Sequence, residues 1–283
     1  MNLESIFHPS DFSAASEIAF VHALKLAVVA KTKLSILHVA NRQRVAWQDF
    51  PGVRATLERW GVIPRGSPKS ALMDLGVRVE KVVLEGDPVK ACVSFLDRHP
   101  TDLIVLAVHQ SEGRMQWLHK GVGQPIAESA GELTLFIPHG IKGFVSLEDG
   151  SVSLRSILIP ITTKPRPQPA VDIAVSLIRN LQLAPGTVTL LHAGTASEAP
   201  AVTIPDDTGW TWNRVSKEGV PTDVILETAE AIHADLMVMT TDGPDRFLDG
   251  LRGTTSERVL RKTRCPIANL PIKSDPEEED DGE

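Results

Sequence analysis

Gly243, nine intervening residues, then Gly253 and Thr254 form the stretch whose residue types and spacing best suit holding an anion. Glycines let backbone N–H groups approach an oxyanion with no Cβ in the way. Thr254 opens a helix-like run, Thr254–Leu260. The first turn of a helix offers unpaired N–H groups and a partial positive end, so Gly253, Thr254, Thr255 and Ser256 can together address a phosphate. Simpler readings stand beside this one. Thr254 and Glu257 have the spacing of a capping box. Asp242-Gly243-Pro244 also reads as a plain turn after a strand.

The elements that must position these residues recur along the chain. Five blocks appear twice in the same order. Ser5-Ile6-Phe7-His8-Pro9 matches Ser156-Ile157-Leu158-Ile159-Pro160, and Leu34–His38 matches Val188–His192. Glu85-Gly86-Asp87-Pro88 matches Glu218-Gly219-Val220-Pro221, Thr101–Val105 matches Ala234–Val238, and Leu135–Pro138 matches Ala268–Pro271. A fixed order of recurring blocks is the signature of a duplicated unit. The offset is 151 from Pro9 to Pro160 and 154 from His38 to His192, but 133 from Gly86 to Gly219 and from Asp102 to Asp235. The second copy is therefore 21 residues shorter between its second and third strands. The spacing predicts that a helix in this stretch of copy one is replaced by a loop over Gly194–Gly209.

Each copy reads as strand, helix, strand, connection, strand, helix, strand, loop, helix, strand. Short apolar runs such as Leu103–Val108 suit parallel strands buried on both faces. Their alternation with helices predicts an α/β fold of two doubly wound, five-stranded parallel sheets. Helix one of copy one is expected from Ser13 or Ser16, with Ile18, Val21, Leu24 and Ala27 about a turn apart. Helix three is expected from about Pro88 to Arg98, opened by Asp87. Between the copies, Asp149-Gly150 flanked by short apolar stretches predicts a hairpin. The expected boundaries are 1–142, a hairpin linker 143–155, a second domain 156–273 and a disordered acidic tail 274–283.

Charge and composition narrow the function classes. Seven of the 36 acids lie in Ser274–Glu283, which leaves 29 acids against 29 Lys and Arg, so the totals give no basic surface for nucleic acid. The tail reads as solvated chain. No apolar run approaches a membrane span, and no basic region precedes a long apolar stretch at Met1. Cys92 and Cys265 lie far apart, which suits a reducing cytoplasm. Nine histidines are scattered without a metal-ligand spacing, so no metal site is expected among them. His38 and His192 fall at equivalent strand positions and are expected as packed, hydrogen-bonded residues. Trp210 and Trp212 are expected in the core or a domain contact. Gly121-Val122-Gly123 does not follow a first strand and is discounted as a dinucleotide motif. Neither a Gly-x-Ser-x-Gly elbow nor a Gly-Lys-Ser/Thr phosphate loop occurs.

Several of these motifs resemble those of the universal stress protein family. The relevant segments are Pro9-Ser10-Asp11-Phe12-Ser13, Ile36-Leu37-His38-Val39, Asp102–Val105, Asp235–Val238, Gly253–Leu260 and Cys265-Pro266. The resemblance covers nearly the whole chain except linker and tail, so the chain looks like a tandem of two such domains. It implies a Rossmann-like, adenine-nucleotide alpha-hydrolase-like fold. It also implies pairing of the copies through their last strands, Thr134–Ile137 beside Ile267–Leu270, around a pseudo-two-fold axis. A homodimer and an unidentified protein partner are further partners in view.

The family's nucleotide-binding pattern is Gly, two residues, Gly, nine residues, Gly, Ser or Thr. Copy two matches it with Thr240 in place of the first glycine. The implied contacts are Pro160, Ile161 and Thr162 after its first strand, Ala193 after its second, and Thr240, Gly243, Gly253, Thr254, Thr255 and Ser256 around its fourth. The ligand that the resemblance implies is ATP or another adenine nucleotide, with Mg a candidate companion. Thr162 stands where the family places an acid. Copy one keeps that acid, Asp11, but has Gln110 and Lys120 opposite the glycines. Asp11 also suits capping the first helix. The expected function is a stress-response regulator without efficient catalysis. A nucleotide-free scaffold is the first alternative, and a phosphate-ester hydrolase or nucleotidyl transferase on the same fold is the second.

Overall fold

The computed structural model describes residues 3–40, 49–108, 126, 131–206, 209–242 and 254–272. The first half runs β1 (Ser5–Pro9), α1 (Ala14–Ala30), β2 (Lys33–Ala40), α2 (Val53–Arg59), α3 (Ala71–Asp74), β3 (Arg78–Glu85), α4 (Pro88–Leu96), β4 (Leu103–Val108) and β5 (Leu133–Pro138). The second runs β6 (Ser156–Pro160), α5 (Gln168–Asn180), β7 (Thr187–Ala193), β8 (Thr211–Lys217), α6 (Pro221–Ala231), β9 (Leu236–Asp242), α7 (Thr255–Lys262) and β10 (Ile267–Ile272).

Among the described residues the strands form one ten-stranded sheet in the order β3-β2-β1-β4-β5-β10-β9-β6-β7-β8. Each half is parallel. The halves join where β5 and β10 pair antiparallel, with Phe136 opposite Ile267, Leu135 opposite Ala268 and Thr134 opposite Asn269. This is the edge pairing expected from the family resemblance. It gives each half's last strand a partner in place of an open edge.

Alternation along the strands builds two cores. Ile6, Leu34, Leu103, Val105, Ile157, Val188, Leu236 and Val238 face one side, packed against α1 and α5. Phe7, Leu37, Ile104, Leu158, Leu191 and Met237 face the other, clustered with Phe95 of α4, Ile225 of α6 and Val259 of α7. Successive strand side chains point to opposite faces. A strand covered on both faces therefore reads as an unbroken apolar run.

Ser13 caps α1, its hydroxyl accepting the Ser16 N–H at 3.2 Å. Asp87 caps α4 by accepting the Lys90 N–H at 3.0 Å. That helix stops at Leu96, two residues before the expected Arg98, as Arg98 and His99 turn away with N–H bonds three residues back. Asp11 is not the cap of α1. Its Oδ1 accepts the N–H of the capping Ser13 at 2.9 Å, so it braces the turn one step earlier.

The two copies differ most between their second and third strands. Copy one has α2 and α3 there, whereas copy two has, among the described residues, one 3-10 turn, Ala196–Glu198. The shorter connection is pinned to α5. Gln168 donates to the Thr203 carbonyl at 3.1 Å and accepts the Thr203 N–H at 2.8 Å. Val202 and Ile204 pack on the core that α2 covers in copy one. Trp210 is buried and Trp212 half-buried against the same cluster.

The segment between the copies folds as a hairpin, with an antiparallel bridge between Val145 and Val152. Ser146 donates its N–H to Ser151 at 2.9 Å, and Asp149 accepts from the Ser151 N–H and hydroxyl at 3.0 and 2.7 Å. It lies against the first domain. Trp60 Nε1 donates to the Leu147 carbonyl at 3.2 Å. His22 Nε2 accepts the N–H groups of Phe144 and Val145 at 3.0 and 3.1 Å. The acidic tail lies outside the described residues.

Candidate functional site

In an open α/β sheet, ligands settle outside the carboxyl ends of the strands where the strand order reverses. In copy two that point lies between β6 and β9. These strands share two rungs, Ile157 with Leu236 and Leu158 with Met237, and then part. The ladders beside them continue, β6–β7 to Pro160 and β9–β10 to Asp242. Beyond the second rung the backbone groups of β6 and β9 no longer pair with each other. The same divergence occurs between β1 and β4, which share only Ile6 with Leu103 and Phe7 with Ile104.

At this end of the copy-two sheet, Pro160 is half-buried, Ile161 is buried and Thr162 is exposed. Ile161 is held by its N–H to the Leu191 carbonyl at 2.8 Å, and its own carbonyl accepts His192 Nδ1 at 3.2 Å. Ala193 ends β7 and is half-buried. Thr240 is buried near the end of β9, and its hydroxyl donates to the Arg166 carbonyl at 3.2 Å. That bond ties the loop after β6 to the fourth strand of the domain. Thr254 and Thr255 are exposed and Ser256 is half-buried. The Thr254 hydroxyl accepts the Glu257 N–H at 3.2 Å, so it caps α7. The Glu257 carboxylate lies 3.8 Å from Arg261 one turn on. Gly243 and Gly253 lie outside the described residues, as do Gln110, Lys120 and Gly121–Gly123.

Copy one fills its cleft differently. His8, whose counterpart is Ile159, donates from Nδ1 to the Val105 carbonyl at 3.0 Å, bridging β1 to β4. Its Nε2 faces the Ser16 hydroxyl at 3.4 Å, which in turn lies 3.0 Å from the Ser10 hydroxyl. All three residues are buried. Burial pushes His8 down to about 4, only partly offset by its Val105 bond and by Asp11. It is a neutral strut, with no access for a substrate. Above it, Phe12 stacks on His38 and Phe50 meets Phe12 edge-on.

His38 and His192 are hydrogen-bonded in the same way. His38 Nδ1 donates to the Ser10 carbonyl at 2.7 Å, and Ser10 is the counterpart of Ile161. The residues that sequence reasoning passed over are Phe12 and the loop cations Lys164 and Arg166, which are exposed beside Thr162. Their position ahead of α5 was the available signal. The thiols offer little reactivity: burial pushes Cys92 up to about 12 and raises Cys265 as well. Among the described residues no group of three or more His, Cys, Asp or Glu gathers as a metal cluster. No helix among them is long and apolar enough to cross a membrane.

A sequence profile of the Universal stress protein family matches residues 3–131 and 208–270. A universal stress protein of Methanocaldococcus jannaschii is 44% identical over 50 residues, which span 18% of this chain and 29% of that relative's length. The crystal structure of a universal stress protein from Archaeoglobus fulgidus DSM 4304 covers 96% of this chain and 99% of its own, with 17% identity and a TM-score of 0.62. A universal stress protein crystallised in complex with cAMP covers 48% of this chain and 98% of its own, with 19% identity and a TM-score of 0.32.

Proposed function

This chain belongs to the universal stress protein family, with two such domains in tandem, and from that premise we propose that it is a regulatory protein of the stress response whose second domain binds an adenine nucleotide. The observation that carries the reading is the early end of the β6–β9 ladder at the reversal of strand order, where this reading puts the ligand cleft. Pro160, Ile161, Thr162 and Ala193 stand at its first two strands, and Thr240 at its fourth. The Gly243, Gly253-Thr254 spacing in the sequence supports phosphate binding there. ATP is the ligand that spacing favours. Binding, rather than turnover, is the proposed output, read by a protein partner through a change in the loops around the cleft.

Isothermal titration of the full chain with ATP, with and without Mg, tests this. Saturable heat supports it, and no heat above buffer overturns it. Release of inorganic phosphate by the same preparation would overturn the non-catalytic part.

One observation favours a second reading, a scaffold that acts without nucleotide. The Thr240–Arg166 bond draws the loop after β6 toward β9. Mass spectrometry of small molecules released on denaturing the purified protein separates the two: a nucleotide supports the first, and none, with no ATP heat, supports the scaffold.

A further inference from the structure

Phe12 follows Asp11 directly beyond β1 and has φ +61°, a left-handed conformation that a bulky side chain seldom adopts. This turn lays its ring parallel to His38, with centroids 4.0 Å apart and planes 10° from coplanar. Phe50 closes the edge at 5.2 Å, and Lys81 Nζ lies 5.5 Å from the Phe50 centroid. Rings of the protein itself thus occupy the carboxyl end of the first domain's sheet over β2.

The second domain keeps only the platform. His192 is held by the same kind of bond as His38, Nδ1 to the carbonyl of the residue after β6. The counterpart of Phe12 is Thr163, which is exposed, and Phe50 falls in the stretch that copy two shortens. His192 is half-buried, and among the described residues no ring is stacked on it. Gly194 makes room for it, since a Cβ there would stand 2.7 Å from Nε2. The Nδ1–Ile161 bond fixes the orientation of the ring.

We infer that the imidazole face of His192 is the stacking platform for the flat base of the ligand in the second domain, while Phe12 fills the matching slot in the first, so that one chain holds one base site. The inference rests on the nucleotide reading above and adds to it the residue that receives the base. Parallel stacking on an aromatic face is how proteins hold bases without hydrogen-bond readout. In this chain the Phe12–His38 pair shows the geometry such a stack adopts.

The test is calorimetry on the full chain with three probes, ATP, adenosine and inorganic tripolyphosphate, with circular dichroism to verify folding. Wild type is expected to take one ATP per chain. Thr163→Phe, which puts a ring at the position of Phe12 beside His192, and His192→Ala are each expected to weaken ATP and adenosine about tenfold or more. Both should leave tripolyphosphate within about twofold of wild type. His192→Phe, which keeps a ring, should hold ATP within about threefold. If wild type binds ATP but Thr163→Phe and His192→Ala bind it equally well, the base site is overturned and the nucleotide reading stands. Two ATP per chain overturns the filling of the first domain's slot by Phe12, and an equal loss in His192→Phe and His192→Ala overturns the stacking role of His192. If wild type binds no ATP, the nucleotide reading itself fails.

Discussion

The Thr240 hydroxyl donates to the Arg166 carbonyl at 3.2 Å, across the place where β6 and β9 have ceased to pair. On the proposed match to the family pattern Thr240 stands in for its first glycine, and its side chain meets loop backbone at Arg166. Thr240→Val keeps the branched shape and removes the donor. It should lower stability by about 1 kcal/mol, the usual net worth of a neutral hydrogen bond, read by urea denaturation. Thr240→Gly removes the Cβ as well. It should bind ATP more tightly than wild type despite lower stability, with calorimetry as the readout.

Asp102 and Asp235 do the same structural task one repeat apart. Asp102 Oδ2 accepts the N–H groups of Glu4 and Ser5 at 2.8 and 2.9 Å, and Asp235 Oδ2 accepts those of Arg155 and Ser156 at 2.8 and 2.9 Å. Each carboxylate anchors the start of the first strand of its domain to the start of the fourth. Bonds to a charged acceptor are the stronger kind. Asp102→Ala and Asp235→Ala should each cost about 2 kcal/mol in urea denaturation. The double variant should equal their sum within about 0.5 kcal/mol, since the sites share no partners.

Two buried histidines predict a loss of stability in mild acid. Burial pushes both His8 and His22 from 6.5 down to about 4. His22 donates from Nδ1 to the Ile18 carbonyl at 2.7 Å and accepts with Nε2, so the neutral form is the bonded one. Between those values the unfolded chain binds the protons and the folded chain does not, so stability falls as pH falls. It is fully present above 6.5 and lost progressively toward 4. Each histidine contributes up to about 1.4 kcal/mol per pH unit in that window. Urea midpoints at pH 7 and pH 5 should therefore differ, and His22→Gln should reduce the difference. An unchanged pH dependence in His22→Gln would count against a neutral, buried His22.

The linker hairpin should tolerate no side chain at Gly150. Its φ is +66°, and a Cβ would stand 2.7 Å from Cε3 of Trp60. Gly150→Ala should destabilise the chain by about 1–3 kcal/mol through backbone strain and overpacking. Trp60 fluorescence should change in the folded state. A variant as stable as wild type, with unaltered emission, would mean that the hairpin does not lie on the first domain.

The lateral order of the strands came from the structure, whereas duplication, the succession of strands and helices along each copy and the missing helix of copy two were all legible in the sequence. These follow from local apolar runs and from offsets between blocks, which survive as long as each strand stays buried on both faces. The β5–β10 pairing followed from the family resemblance, and the composition of those strands alone would not have located it. The candidate site was legible only in part. Thr254 proved to be a helix cap, a role its spacing to Glu257 had already offered. Asp11 braces a turn, while Ser13 beside it caps the helix; both side chains reach the same N-terminal turn, and backbone geometry decides between them.

What only tertiary structure decided is how each cleft is occupied. No spacing rule connects His8 to Val105, Phe12 to His38 or Thr240 to Arg166, because each pair is joined by sheet packing across 97, 26 or 74 positions of chain. Sequence periodicity reports which face of an element is buried. Which side chain turns back over a strand end depends on a single left-handed dihedral, as at Phe12, and that angle is set by the packing around it.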